Sequence, residues 1–280
     1  MLEVFSSPEW SHRLAQLGVD PNHWRRQSLF GLSVLRPCFS ELTDYERWPS
    51  LAPPPSLKAD LIIYRKLFPE QRPHQLPPGS VVWRDSTTYR LKLTEPPKLK
   101  PELLRQLGRT ERKLAREIAL PQIIEADDSN KRDWFEHWSL QVRLRYPNAA
   151  LFGEQNDLFI KRWILDAPLE PWIKLYTLRA GNVDLAWTLG YVWGQTFYNF
   201  LPTMSSNPTL AKYGPGKLLT HMLVQRARQN GLQCFDFLHG EHAYKVHWGP
   251  EETPLMACMI PVSPLGKIAS KLFGLKKMLS

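Results

Sequence analysis

The stretch from residue 213 to residue 248 constrains the fold more than any other part of this sequence. It begins with a glycine-rich turn, Gly214-Pro215-Gly216, where Pro215 cannot continue a preceding helix. Residues 217–230 then carry apolar side chains at helical spacing, and Gly231 is typical of a left-handed helix cap. A short apolar run over 234–238 predicts a buried strand, and a brief helical turn is expected at 244–248. Helix N-termini bind anions, and open sheets bind ligands at the carboxyl ends of their strands.

Three segments upstream of this stretch predict an antiparallel meander. They are rich in aromatic and β-branched residues, and tight turns at Gly181-Asn182 and Trp193-Gly194 separate them. The strand at 234–238 comes after a helix, so we expect it to lie parallel to a neighbouring strand. The predicted meander strands span 172–178, 183–192 and 195–201, and a last apolar strand is predicted over 254–262.

Two amphipathic helices are predicted before the meander. The first spans residues 99–119; its apolar stripe is Leu103, Leu107, Leu114 and Ile118, and arginine and lysine dominate its other faces. Such a basic face can bind phosphate, but it can equally be a solvated surface. The second helix spans 128–145 and is expected to turn Trp134, Trp138 and Val142 towards the core.

The N-terminal part is rich in proline and yields weaker predictions. A helix is expected over 8–17, and strands over 30–39 and 60–68. Proline-rich loops are expected at 53–55 and 77–79. The alternating segment 89–93 is typical of an edge strand. No catalytic motif was identified here.

The C-terminal segment predicts a basic amphipathic helix. Such a helix can lie on a membrane surface, but we expect it to dock on its own domain, since one short helix has only marginal membrane affinity by itself. The apolar positions are Leu265, Ile268, Leu272, Leu275 and Leu279, and the lysines are Lys267, Lys271, Lys276 and Lys277.

Charge and cysteine content restrict the function classes. A net charge of +9 over 280 residues suits a nucleic acid, an anionic membrane or a polyanionic cofactor, although it can also serve solubility alone. Three cysteines without paired spacing do not form a disulfide framework and suit a reducing cytosol. We expect neither a signal peptide nor a transmembrane helix. There is no phosphate-binding P-loop or Gly-x-Ser-x-Gly elbow, and His239, His242 and His247 lack the spacing of zinc ligands, so no metal is predicted.

The order of these elements resembles the GNAT acyltransferase fold. Three motifs, at 213–219, 235–240 and 244–248, are similar to the signature of the CelD-like, FemAB-related branch, also described as a BioF-type GNAT acetyltransferase domain. The arginine-rich segment 107–116 is similar to a helix of that branch. The resemblance covers about residues 100–263.

The resemblance implies a cytoplasmic, bacterial acyltransferase that uses an acyl-CoA such as acetyl-CoA. The diphosphate of CoA would lie on the backbone amides at the start of the helix. The thioester would lie between the strand that ends near Leu201 and the strand that starts near Cys234. The cofactor-binding residues implied are Tyr213, Gly214, Gly216, Lys217 and Leu218.

The chain also departs from the GNAT loop pattern. Ala211 stands where the pattern has Arg or Gln, and Pro215 removes one amide donor. FemAB-type relatives take aminoacyl-tRNA as donor, and the basic segment 105–116 would suit tRNA phosphates. The donor therefore stays open between acyl-CoA and aminoacyl-tRNA.

Acyl transfer to an amine requires a base, polarisation of the carbonyl and a proton for the leaving group. We predict His239 and Glu241 as candidate bases and Tyr244 as the group that protonates the thiolate. The structural alternatives are a surface His, a capping Glu and a packed Tyr. Asp236 lies mid-strand and is expected to face a neighbouring strand or a buried partner such as Lys245.

The sequence therefore predicts a mixed α/β protein with a GNAT-like fold. We predict a smaller N-terminal half at 1–98, which could be degenerate, the acyltransferase domain at 99–263, and the helix at 264–280. The predicted reaction moves an acyl group from acyl-CoA to an amine or hydroxyl, for instance of a sugar or cell-envelope precursor. The alternatives are an aminoacyl-tRNA-dependent transferase and a catalytically silent module that binds an anionic partner.

Overall fold

The computed structural model describes His12 and residues 24–37, 58–147, 154–166 and 168–278. Two compact units make up the chain: the first comprises residues 1–88 and 253–280, and the second comprises residues 89–252. The predicted helix at 8–17 and loop at 53–55 lie outside the described residues, apart from His12. The described strands are β1 (Trp24–Leu29), β2 (Leu32–Pro37), β3 (Leu61–Leu67), β4 (Val81–Lys92), β5 (Pro121–Ala126), β6 (Ile173–Ala180), β7 (Val183–Trp193), β8 (Thr196–Met204), β9 (Cys234–His239) and β10 (Glu251–Pro261).

Helices complete the mixed α/β architecture, and most of the described ones lie in the second unit. Short 3₁₀ helices occur at Pro69–Gln71 and Lys245–Trp248. The described α-helices are α1 (Pro101–Glu117), α2 (Lys131–Arg145), α3 (Glu154–Leu165), α4 (Pro208–Ala211), α5 (Pro215–Gln229) and α6 (Pro264–Met278).

The second unit has the strand order β4-β9-β8-β7-β6-β5. Strands β6, β7 and β8 pair antiparallel through the predicted tight turns, and β9 pairs parallel with β8 after the α5 crossover. Both predictions are confirmed. Strand β5 and helix α3 were not predicted, because the segment of β5 is short and lacks clear alternation.

The core of the second unit lies between this sheet and helices α1 and α5. Leu103, Leu107 and Leu114 of α1 are buried against it, as predicted, and so are Leu218 and Leu223 of α5. Trp134, Trp138 and Val142 of α2 are also buried, which confirms the predicted inward face. These contacts fix the start of α5 next to α1.

The first unit has the strand order β1-β2-β3-β10-β4. Strands β1 and β2 form a hairpin that turns at Phe30 and Gly31, both of which have positive φ. β2 lies within the strand predicted over 30–39, whose last two residues are outside the described residues, and β1 was not predicted. Two central residues with positive φ are typical of a tight hairpin turn. Strand β4 lies between β10 and β9, so the segment 89–93 is part of an interior strand and not an edge strand.

Helix α6 packs in the first unit through its small residues. Gly266 lies against the Asp60 backbone, where a Cβ atom would overlap the Asp60 carbonyl oxygen. The Ser270 hydroxyl donates to the Gly79 carbonyl at 2.7 Å, and Phe273 meets Trp83 edge to face at 4.9 Å. The predicted helix is confirmed, but its leucine-rich face is exposed. Within the described residues, no helix is both long and apolar enough to cross a membrane.

A compact unit is defined by contacts within the folded chain, whereas a domain is a part that can fold by itself. The predicted division into 1–98, 99–263 and 264–280 therefore stays a prediction.

Candidate active site

The start of α5 is a glycine turn whose backbone amides are partly used within the chain. Gly214 is left-handed (φ 62°, ψ 45°) and precedes Pro215, the first residue of the helix. The Gly214 amide donates to Ala211, and the Lys217 amide donates back to the Gly214 carbonyl at 3.1 Å. The Gly216 amide donates to no carbonyl among the described residues. Leu218 contributes its side chain to the core.

Helix α1 holds this turn in place through polar contacts. The Tyr213 hydroxyl donates to Glu117 Oε2 at 2.7 Å, and the Tyr213 carbonyl accepts from the Thr110 hydroxyl at 2.9 Å. The Lys217 ammonium donates to Gln106 Oε1 at 3.1 Å. Gln106, Thr110 and Glu117 lie on one face of α1. Their helical spacing was visible in the sequence, but nothing in it indicated that this face meets the turn.

Lysines surround the buried Tyr213 ring. The Lys113 and Lys212 ammonium groups lie 5.1 and 4.9 Å from its centroid. The hydrogen bond from Tyr213, then Arg116 and the nearby lysines, lower the pKa of Glu117, which therefore stays charged. Together with Lys217, these two lysines form a basic cluster beside the turn. We call Lys113, Lys212 and Lys217 the loop lysines.

Strands β8 and β9 share register over only three residue pairs, Thr196–Cys234, Phe197–Phe235 and Tyr198–Asp236. β8 continues to Met204 and β9 to His239 without further pairing to each other. At this point β8 bulges: Leu201 has φ 48°, and its register with β7 shifts.

Two polar side chains of β8 beyond the last shared pair have buried atoms that find no hydrogen-bond partner among the described residues. They are the amide nitrogen of Asn199 and the hydroxyl of Thr203. The other end of the Asn199 amide, its Oδ1, accepts from the Thr188 hydroxyl at 2.9 Å. Buried polar groups normally make hydrogen bonds. Buried groups that lack one, next to the point where β8 and β9 separate, therefore indicate a site that a polar ligand could enter.

A buried ion pair organises the last residues of β9. The Arg90 guanidinium lies 2.8 Å from Asp236 Oδ2, and the Asp236 side chain is fully buried. Asp236 Oδ1 accepts from the Leu238 amide at 2.8 Å, and Leu238 has φ 63°, which is unusual for a leucine. The predicted partner Lys245 also interacts electrostatically with Asp236, but the direct ion pair is with Arg90.

Lys245 is buried behind the end of β9. Its ammonium donates to the Leu238 carbonyl at 2.8 Å and to the His239 carbonyl at 2.9 Å. It also lies over the Tyr89 ring at 5.4 Å. Burial lowers the pKa of Lys245 to about 8. Sequence reasoning treated Lys245 only as a partner of Asp236, because backbone carbonyl acceptors leave no trace in a sequence.

The three predicted catalytic residues are the last residue of β9, His239, and two residues that follow the strand, Glu241 and Tyr244, and their environments differ chemically. Burial, and then the charges of Lys245 and His242, lower the pKa of His239 to about 4, so its imidazole is neutral at pH 7. Burial raises the pKa of Tyr244, so its phenol stays protonated. The Tyr244 ring lies 6.2 Å from the His242 ring. Glu241 is exposed. In the described ranges, no three His, Cys, Asp or Glu side chains converge to hold a metal ion.

Several solved structures share this fold. The C-terminal domain of a lysylphosphatidylglycerol synthetase described as putative, from Agrobacterium fabrum, is 15% identical, with a TM-score of 0.55 over 79% of this chain and 72% of that one. The L-PGS structure from Bacillus licheniformis is 12% identical, with a TM-score of 0.53 over 76% and 73%. FemX is 9% identical, with a TM-score of 0.54 over 97% and 94% of the two chains.

At these identities the structures establish a shared fold and no shared activity. No protein of curated function matches the sequence. The family model of the acetyltransferase (GNAT) domain matches residues 102–246, which include α1, the meander, the glycine turn and the end of β9. That span is more than half of the chain, and the chain therefore belongs to the GNAT acetyltransferase domain family.

Proposed function

We propose that the second unit is an acyltransferase, which moves an acyl group from acyl-CoA to an amine or hydroxyl of an acceptor. The parting of β8 and β9 after Tyr198 and Asp236 carries this proposal, because it lies beside unsatisfied polar groups within the family-matched segment. A planar thioester lying between the two strands would meet polar atoms of β8 on one side and the residues after β9 on the other.

The loop amides fit a diphosphate only in part, so side chains would supply the rest. Pro215 has no amide hydrogen, and the amides of Gly214 and Lys217 already donate to carbonyls. The Gly216 amide remains, at the positive end of the α5 dipole. The loop lysines would neutralise most of the charge of a bound diphosphate.

The last residue of β9 and the residues after it fit the proton transfers of acyl transfer. The acceptor nitrogen or oxygen would attack the carbonyl carbon and lose its proton, and the carbon–sulfur bond would break. Neutral His239 can accept a hydrogen bond from the acceptor, and exposed Glu241 can take the proton onward. Protonated Tyr244 can donate to the departing thiolate. Lys245 would be a positioning residue, since it holds the carbonyls of Leu238 and His239.

A second candidate donor is an aminoacyl-tRNA. Two observations favour it: few loop amides are available for a diphosphate, and the loop lysines adjoin the arginine-rich helix α1. Phosphate binding by such a cluster depends steeply on salt concentration. The fold is also shared with proteins named for the synthesis of lysylphosphatidylglycerol and with FemX. A catalytically silent module that binds an anion is the third candidate.

The shift in melting temperature with acetyl-CoA tests the acyl-CoA donor. Acetyl-CoA at saturating concentration should raise the melting temperature, since it binds only the folded state. Gly216→Asp should abolish that shift by placing a carboxylate against the diphosphate. Gly216→Ala is the matched control, because a Cβ atom there would meet only Met204 at 3.8 Å.

Other outcomes select the rival functions. No shift with CoA or any acyl-CoA, together with salt-sensitive tRNA binding that charge reversal of Arg109 and Arg112 weakens, would favour the tRNA donor. Anion binding without thiol release or aminoacyl transfer would favour the silent module.

A further inference from the structure

The C-terminal helix α6 has two distinct faces, and its more apolar face is exposed. Its small residues pack in the first unit, as Gly266 and Ser270 show. Four large apolar side chains on its other face each have an exposed fraction of 55% or more. They are Leu265 (63%), Ile268 (58%), Leu272 (63%) and Leu275 (55%). We call these four residues the α6 stripe.

Lysines border the α6 stripe. At about 100° per residue, Lys271 falls on one side of the stripe and Lys276 on the other, and Lys267 lies beyond Lys271. All three lysines are exposed, and α6 has no acidic residue. Long lysine stems can lie along an apolar surface while their ammonium groups reach outwards. An apolar row between cations matches the boundary between anionic headgroups and acyl chains.

The first unit has a second exposed apolar group, on the β1–β2 hairpin. Phe30, at the tip of the β1–β2 hairpin, is 96% exposed, and its neighbour Leu29 is 46% exposed. Phe30 has φ 51°, a conformation that a hairpin turn normally gives to Asn, Asp or Gly. The turn therefore carries an aromatic ring at a conformational cost.

Asp60 links the hairpin to the start of α6. Its Oδ2 accepts from the Ser33 amide at 2.8 Å, three residues after Phe30. Its Oδ1 accepts from the Ser263 hydroxyl, one residue before α6 begins, and its carbonyl accepts from the Val262 amide at 2.9 Å. Val262 is itself 40% exposed. Asp60 thus hydrogen-bonds both to β2, close to the hairpin tip, and to the residues that directly precede α6.

We propose that the α6 stripe and the Phe30 tip form a surface that binds an anionic lipid membrane. One short amphipathic helix gives marginal affinity, so a second inserting side chain and several lysines would each add to it. The absence of acidic residues on α6 favours anionic lipid over a protein partner, whose rim would normally mix both signs of charge. This inference does not rest on the proposed acyl transfer.

Sedimentation with lipid vesicles tests the proposal on the full chain. The protein should bind vesicles of equal parts phosphatidylglycerol and phosphatidylcholine and should bind pure phosphatidylcholine vesicles weakly. Ile268→Asp/Leu272→Asp should weaken binding to the anionic vesicles at least about tenfold, and Phe30→Ser should weaken it several-fold. Lys271→Glu/Lys276→Glu should weaken it and reduce its salt dependence.

A matched control lies on another helix. Leu140 and Leu144 of α2 are also four residues apart and are 53% and 56% exposed, so Leu140→Asp/Leu144→Asp should leave vesicle binding unchanged. Circular dichroism and melting should confirm that each variant is folded.

Three results would overturn the proposal. The first is no binding to anionic vesicles, and the second is equal loss in the α2 control. The third is a concentration-dependent dimer that Ile268→Asp/Leu272→Asp makes monomeric, because the α6 stripe would then be a contact between two copies of the chain.

Discussion

The ammonium of Lys245 donates to the carbonyl oxygen of Leu238 at 2.8 Å, seven residues earlier in the chain. The bond closes the segment after β9 around a leucine in a left-handed conformation (φ 63°). The same ammonium also binds the carbonyl of His239, which is the first of the candidate catalytic residues. Buried charged side chains therefore hold the end of β9 in place, and three of the predictions below concern these side chains and their neighbours.

Arg90 should be required for stability because Asp236 is fully buried. Removing one partner of a buried ion pair takes away the main compensation of the remaining charge, so Arg90→Leu should lower the free energy of unfolding by about 3 kcal/mol. The double variant Arg90→Leu/Asp236→Asn should recover part of that loss. Urea denaturation measures both. The exposed pair Lys92–Glu251 is the control, and Lys92→Leu should leave the free energy of unfolding nearly unchanged because solvent screens the pair.

Lys245 should make stability increase with pH on the alkaline side. Burial lowers its pKa from 10.5 to about 8, so between these values the unfolded chain holds a proton that the native chain has released. Relative to Lys245→Met, the wild-type protein should gain roughly 2 kcal/mol between about pH 8 and 9.5. Neutral Lys245 keeps two N–H donors for the two carbonyls. Urea melts at both pH values test this, and a flat or falling difference would contradict it.

His239 should make the protein less stable as the pH falls. Its pKa is lowered from 6.5 to about 4, so in this window the unfolded chain takes up a proton that the native state does not accept. Compared with His239→Gln, the wild-type protein should lose roughly 2 kcal/mol between about pH 7 and 5. Identical curves for His239→Gln and the wild-type protein would place His239 in a more solvated environment.

Tyr244 and Glu241 should affect turnover more than folding if the proposed acyl transfer is correct. Tyr244→Phe removes the proton donor for the leaving thiolate and should lower kcat by about 10²-fold. Glu241→Gln should lower it less, because Glu241 is exposed and water can partly replace it. Thiol release from acetyl-CoA with amine acceptors measures the rate, and Glu252→Gln is the exposed control. Full activity in both variants would remove these residues from the mechanism.

Gly266 should tolerate no side chain. A Cβ atom there would overlap the Asp60 carbonyl oxygen, which is backbone and cannot move aside easily. Gly266→Ala should therefore displace the start of α6 and lower the free energy of unfolding by about 2 kcal/mol or more. The control is Gly274→Ala, where the new atom would meet a Val81 methyl at 3.4 Å and should cost much less. Thermal denaturation of both variants compares them.

Local pattern was sufficient for a helix with one buried and one exposed face and for a strand whose short apolar run is buried on both faces. The helix predicted over 217–230 is α5 at Pro215–Gln229, and the strand predicted over 234–238 is β9 at Cys234–His239. The failures occur where a neighbour overrides the pattern. Strand β4 alternates like an edge strand, but β10 and β9 flank it, because half-exposed side chains do not reveal which strands pair with the backbone.

The sequence by itself determined the family, the meander, the glycine turn and the order of the residues that follow β9. These features depend on chemistry between near neighbours in the chain, which periodicity and turn residues encode directly. Only the tertiary structure decided that Arg90, distant in sequence, neutralises Asp236, and that α1 holds Tyr213 through Glu117. It also decided which face of α6 packs. Glycine and serine fit close to backbone whereas leucine does not, so the apolar face predicted to dock was left exposed.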